Sequence, residues 1–280
     1  MYKACNMVSI ITFQSAREGT GKSTIIANVA ALLAATGRRV GVIDADLSTG
    51  NLHYLFGLRT TAISHTFNDY LLGMCSALHV ACDVTPHLQL LQAHMPVSSE
   101  SGRVFLLPAS SNPRDFRRFL RQDYSIELIT DGLLELAQQL ELDVLLIDTQ
   151  SGLKDELLLT LLSMAISDTL TIILRLDHGD YQGTGVLLDV GQTLGIPKVR
   201  LVVNQTASMI DPAQARTQVE QTYHCPVLAV FPHAEELAIL GSADLFVCCY
   251  PAHPLTEHFH SMALALLSSV SRPSAGDHAY

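Results

Sequence analysis

An α/β fold is what the sequence predicts: a doubly wound, mainly parallel β-sheet flanked by helices. Three observations carry that expectation. Short apolar, β-rich runs alternate with helix-length segments along most of the 280 residues. A glycine-bearing loop separates the first run from the first helical segment, and two later runs end in aspartate. Runs that are continuously apolar, rather than alternating, suit strands buried on both faces by helices, the product of repeated βαβ units.

The runs fall at 8–13, 39–43, 88–91, 104–107, 143–147, 169–174, 199–203 and 226–231. The length is near the upper end for one such domain, so residues 1–270 are expected to form it, with 271–280 (SRPSAGDHAY) as a frayed tail. With 48% hydrophobic and 16% charged residues, core material is ample. Nevertheless, no stretch of about 18 uninterrupted apolar residues occurs. The nearest, 157–174, is broken by Ser163 and by Ser167-Asp168-Thr169, which predicts a helix, a turn and a buried strand. The first apolar run is short, lacks a basic leader and leads into the glycine loop, unlike a signal peptide. Six cysteines (Cys5, Cys75, Cys82, Cys225, Cys248 and Cys249) show no CxxC spacing, so reduced thiols and a cytoplasmic chain are expected. A formal charge of −10 argues against a coat of basic residues and leaves room for a local basic face.

Residues 8–30 read as a strand, the loop QSAREGTGKS and a helix expected to be amphipathic and to start at Ser23. A polyphosphate needs inward-pointing backbone N–H groups, a helix N-terminus, a lysine on its outer phosphates and a hydroxyl for Mg²⁺. Gly19, Gly21, Lys22 and Ser23 supply that set, although Ala16 stands where the common G-x-x-x-x-G-K-[ST] loop has its first glycine. A second strand ends in VGVIDADLSTGNL, with Asp44 and Asp46, and a third in DVLLIDTQSG, with Asp148 and Gly152. Carboxylates at such strand ends can hold the water shell of Mg²⁺ and orient an attacking water.

Arg17-Glu18-Gly19-Thr20-Gly21-Lys22-Ser23-Thr24, followed by Asn28-Val29-Ala30, resembles the ParA/MinD superfamily, whose variant loop runs K-G-G-x-G-K-[ST]. The four landmarks that match it, ending with VRLVVNQ and VLAVFP, span residues 8–232 in the family's order. The resemblance implies a P-loop NTPase fold and an ATP-dependent dimerisation switch that hydrolyses ATP slowly, with ATP and Mg²⁺ held between two subunits. It implies that Lys22 and the loop amides hold phosphates, that Ser23 and Asp148 hold Mg²⁺ (Asp148 through water), that Asp44 stands on the magnesium side and that Asp46 orients water. Gly152 would bring its N–H to the γ-phosphate, and Gln150, where the family has a small residue or proline, is a candidate for contact with phosphate or water. Asn204 would read the adenine edge, with Phe231, Pro232 and His233 flanking the ring. Two departures matter: the family's first lysine, which crosses the dimer, is Arg17, and a glycine is Glu18. Either Arg17 serves as the cross-dimer cation or it pairs with Glu18; Lys154 is the second candidate, or a solvated lysine at a helix start.

Three features are less specific. Arg114, Arg117, Arg118 and Arg121 fall at helical spacing, either as a contact strip for DNA or an acidic partner, or as a solvated face. Residues 254–270 are apolar on more than one side and carry no Lys or Arg, so packing on the sheet is expected over membrane contact. His253, His258 and His260 lack the partners of a metal site. The resemblance also implies an activating or adaptor protein and a role in placing a cellular cargo, at the nucleoid or a membrane surface when ATP is bound. A nucleotide-binding scaffold with little hydrolysis and a metabolic synthetase on the same fold are the rival readings.

Overall fold

The computed structural model describes residues 8–88, 102–119, 126–153 and 157–270. Its sheet contains β1 (Ser9–Ser15), β2 (Arg39–Ala45), β3 (Cys82–Asp83), β4 (Arg103–Leu107), β5 (Val144–Thr149), β6 (Thr169–Leu174), β7 (Lys198–Thr206) and β8 (Val227–Pro232). The order is β3-β4-β2-β5-β1-β6-β7-β8. All neighbours pair in parallel except β3 with β4. β1 is flanked by β5 on one side and β6 on the other, so the chain winds outward in both directions from it. Loops at the carboxyl ends of β1, β5 and β2 therefore converge on one crevice, where open α/β sheets bind ligands.

Two expectations need correction. The run at 88–91 is not a strand in the part described: Leu88 closes a 3₁₀ turn, Thr85–Leu88, and 89–91 lie outside the described residues. The edge strand is instead Cys82–Asp83. It ends where the Asp83 carboxylate accepts the Thr85 N–H at 3.0 Å and Pro86 offers no N–H to extend a ladder.

The second correction concerns the helix after the phosphate loop. It spans Lys22–Ala35 and is buried on every side instead of being amphipathic, from Ile25 through Ala35. One side lies on the sheet; the other is covered by the helices Phe246–Cys249 and Pro254–Val270. Leu255, Phe259, Met262, Ala263 and Leu266 join Ile26, Val29 and Leu33 in one cluster, so the C-terminal helix does pack inside the fold. A helix apolar all round requires such two-sided cover. Among the described residues no helix is long and apolar enough to cross a membrane.

Asn28 fixes this helix to its cover. Fully buried, it donates from Nδ2 to the Thr24 carbonyl at 2.8 Å and accepts the Val247 N–H at 2.9 Å. Asn28→Ala is expected to destabilise the chain by about 2 kcal/mol, because the Val247 N–H is left buried without a partner. Urea unfolding would measure it; an unchanged midpoint would mean that this link contributes nothing.

Candidate functional site

The loop between β1 and the Lys22–Ala35 helix turns through two left-handed glycines, Gly19 at φ 75° and Gly21 at φ 85°. Gly21 occupies the helix N-cap without a side-chain cap, so the first-turn N–H groups face the crevice. A fourteen-residue helix that begins on a glycine loop makes an anion cradle of backbone amides and helix dipole. A side chain at position 21 would run into the Asn204 amide.

Lys22, only 5% exposed, directs Nζ to the Asp148 carboxylate and the Thr149 carbonyl. The Ser23 hydroxyl also lies near Asp148. Asp148 stands opposite Asp44 in the β2–β5 register, and each is 1% exposed. Burial pushes Asp148 above the usual carboxylate range, opposed by Lys22 and Ser23. Burial also pushes Asp44 well above that range, reinforced by Asp148 and Asp46, with the Leu52 N–H at 3.1 Å opposing. Asp46 is less enclosed; its Oδ1 accepts the Ser48 hydroxyl at 2.7 Å and the Thr49 N–H at 3.2 Å.

These oxygens suit magnesium. Two buried carboxylates at adjacent strand ends and the Ser23 hydroxyl form a hard, all-oxygen donor set, and a cation would relieve the burial and mutual repulsion that push the Asp44 carboxyl up. No group of three or more His, Cys, Asp or Glu side chains able to hold a metal occurs among the described residues. Magnesium would therefore need water and phosphate oxygens to complete its shell, its habit in nucleotide sites.

The Gly152 N–H has a partner within the chain. Its backbone sits at φ 78°, and its N–H donates to the Ser15 carbonyl at 2.7 Å, a bond that contact with a γ-phosphate would have to replace. The cause lies in the β1–β5 ladder: Thr149 Oγ1 bonds the Phe13 carbonyl, and Ser15 presents the next acceptor along β1. The Gln14 amide returns a bond to the Gly152 carbonyl at 3.0 Å, and the Ser15 and Ser151 hydroxyls meet at 3.0 Å.

Arg17 does not pair with Glu18, which is exposed. It pairs instead with Asp177 at 2.9 Å and approaches Asp180 at 3.7 Å. Asp177 caps the helix His178–Thr193 by accepting the Asp180 N–H at 3.0 Å. That bond, with the charges of Arg17 and Arg175, holds the Asp177 carboxyl below its usual range. Arg175 bonds Asp180, 1% exposed, at 2.9 Å. The helix comes this close because Gly183 lies against the Ala16 side chain, where a Cβ would collide, and Gly179 lies under the Arg17 guanidinium, which would have to shift to admit one. Sequence reasoning missed these acids; the signal available was an aspartate three residues before another, with glycines four apart.

On the opposite flank, Asn204 donates Nδ2 to the Thr20 carbonyl at 2.6 Å, and Gln205, at φ 57°, donates Nε2 to the Gly19 carbonyl at 3.0 Å. Asn204 thus spends a donor on the loop, which the expectation of base reading left out. Gly21, Thr24, Asn204, Phe231, Pro232 and His233 nevertheless share the walls of one pocket of about 220 Å³. Phe231 is 1% exposed and packs at a tilt on Phe259 with ring centroids 4.8 Å apart, so its ring belongs to the core, while His233 is exposed. Lys154 and Arg121 lie outside the described residues. Arg114, Arg117 and Arg118 are exposed on the Pro113–Phe119 helix, Arg118 reaching Met74 Sδ at 3.4 Å.

The sequence matches the ParA family, described as NUBPL iron-transfer P-loop NTPase, over residues 6–175. The chain belongs to the ParA family of P-loop NTPases. An uncharacterized ATP-binding protein of Methanocaldococcus jannaschii is 24% identical to this ParA-family chain over 266 residues, 94% of this chain and 89% of its own. The septum site-determining protein MinD of Thermotoga maritima is 23% identical over 269 residues, 92% and 87% of the two chains. The ParA-family fold is that of the septum site-determining protein MinD of Pyrococcus horikoshii, a structure complexed with Mg-ADP. It superposes with a TM-score of 0.74 at 20% identity, covering 95% of this chain and 100% of that one.

The Asp44 environment has a measurable consequence for this ParA-family chain. A carboxyl whose folded pKa is raised opposes folding in its charged form, so the cost is absent below the unfolded value and grows as pH rises toward the folded one. In EDTA at pH 7.5, Asp44→Asn is expected to raise stability by about 1–2 kcal/mol, a gain that vanishes near about pH 4. Denaturant unfolding across pH reads it; a gain independent of pH contradicts the electrostatic account.

Proposed function

We propose that this chain is an ATP-dependent dimerising switch that hydrolyses ATP slowly and positions a cellular cargo. The observation that carries the reading is the convergence of Lys22, Ser23, Asp44, Asp46 and Asp148 at the N-terminus of one helix and the ends of two adjacent strands. The phosphates would lie on the loop amides of Glu18, Gly19, Thr20 and Gly21, with Lys22 exchanging the Asp148 carboxylate and Thr149 carbonyl for β- and γ-phosphate oxygens. Asp148 and Ser23 would then be released toward Mg²⁺, Asp148 and Asp44 through water. The metal would neutralise charge on the transferring phosphoryl group. Asp46 orients the attacking water. Adenine would occupy the pocket beside Thr24, Asn204 and the 231–233 segment, with one Asn204 Nδ2 hydrogen kept on the loop and the other, with Oδ1, left for the base.

Arg17 or Lys154 would complete the site across the dimer. The Arg17–Asp177 pair is half exposed, and such surface pairs contribute little, so exchanging it for a partner's phosphate is inexpensive. The surface on which the switch works would be the nucleoid or a membrane, with an adaptor protein stimulating hydrolysis. The exposed Arg114, Arg117 and Arg118 would support DNA contact, which a binding assay across salt concentrations reads by its steep decline. The rival scaffold reading draws on the same cis pairing of Arg17, because a cation held on Asp177 does not assist hydrolysis.

Mass in solution decides between them. Wild type should be monomeric without nucleotide and with ADP, and dimeric with ATP and Mg²⁺; Asp46→Ala should stay dimeric because the nucleotide persists. A mass indifferent to nucleotide in both proteins would refute the switch.

A further inference from the structure

Outside the residues that contact phosphate or metal in this reading, a chain of side-chain contacts among the described residues crosses the crevice. Gln150, 8% exposed, lies just past the end of β5 and donates from Nε2 to Ser48 Oγ at 3.1 Å. Ser48 Oγ in turn donates to Asp46 Oδ1 at 2.7 Å. Between Gln150 and Ser48 the chain is 102 residues long, so this bond ties the segment after β5 to the turn after β2.

A serine hydroxyl has one hydrogen and two lone pairs, and an amide NH₂ can only donate. With Gln150 donating to Ser48, the hydroxyl hydrogen is directed away from Gln150 and onto Asp46. The same Oδ1 receives the Thr49 N–H at 3.2 Å. Two donors on one oxygen fix the carboxylate plane and leave Oδ2 as the oxygen without a hydrogen bond among the described residues. An oxygen that must align a water gains from a fixed carboxylate, since small displacements of a reacting pair are costly in rate.

We propose that Gln150 is a positioning residue for Asp46, acting through Ser48, and that the relay holds the Asp46 turn in register with the end of β5. The rate claim rests on the ATPase reading; the structural claim does not. Gln150→Glu keeps the side-chain shape but replaces the donor with an acceptor, which draws the Ser48 hydrogen away from Asp46. Ser48→Ala removes the bridge from the solvent side, where folding is not at stake.

Two readouts test the relay on variants whose thermal unfolding matches wild type. In steady-state ATP hydrolysis, Gln150→Glu and Ser48→Ala should each lower kcat by about 10-fold with KM for ATP within about 2-fold, and the double variant should be no slower than the worse single one. In nucleotide-free protein, exchange of the Thr49 amide should quicken by about 10-fold in both variants, because its acceptor is no longer held. Wild-type values of either kcat or Thr49 exchange in Gln150→Glu overturn the proposal, as does additivity in the double variant. Should wild type hydrolyse no ATP, the function proposed above fails alone, and Thr49 exchange decides the relay: quickened exchange sustains it and unchanged exchange overturns it.

Discussion

A lysine ammonium buried to 5% exposure must be compensated, and the way Lys22 is compensated organises this molecule. Its partners are the Asp148 carboxylate and the Thr149 carbonyl, both at the end of β5 and both products of a parallel ladder that places Asp148 beside Asp44. Two buried carboxylates and one ammonium leave the site with an excess of negative charge, which Asp46 adds to. Burial, reinforced by that excess, raises the Asp44 carboxyl, and a divalent cation would relieve both.

The loop that presents Lys22 is held from both sides. Asn204 and Gln205 bond the carbonyls of Thr20 and Gly19 from one flank, while Arg17 is drawn to Asp177 and Asp180 on the other. With its carbonyls bonded outward, the loop turns its amides toward the crevice. The glycines at 179 and 183 serve the same end, letting the His178–Thr193 helix approach closely enough for its capping aspartate to meet Arg17. Packing on this flank and the electrostatics of the site are thus one problem.

What was legible in the sequence was local. The strand-loop-helix around Lys22 and the aspartates closing β2 and β5 each lie within about a dozen residues, where spacing and residue type carry the chemistry. The contacts missed join residues far apart: 160 positions from Arg17 to Asp177, 184 from Thr20 to Asn204, 102 from Ser48 to Gln150. No local pattern encodes such pairs. The helix at Lys22–Ala35 misled in a related way, because a stripe of Ala, Ile and Leu reads as one apolar face until the C-terminal helix is seen covering the other. The bond from the Gly152 N–H to Ser15, at the end of the neighbouring strand, was likewise not legible.

If the Lys22 cradle is a nucleotide site, phosphate oxygens must be able to take over the ammonium from Asp148 and Thr149. Calorimetric titration of Mg-ADP into wild type and Lys22→Gln measures that exchange most directly. The account predicts saturable binding by wild type and a loss of at least about 100-fold in affinity for the variant, the cost of removing a charged partner from a buried phosphate. Equal affinity in the two proteins would contradict it.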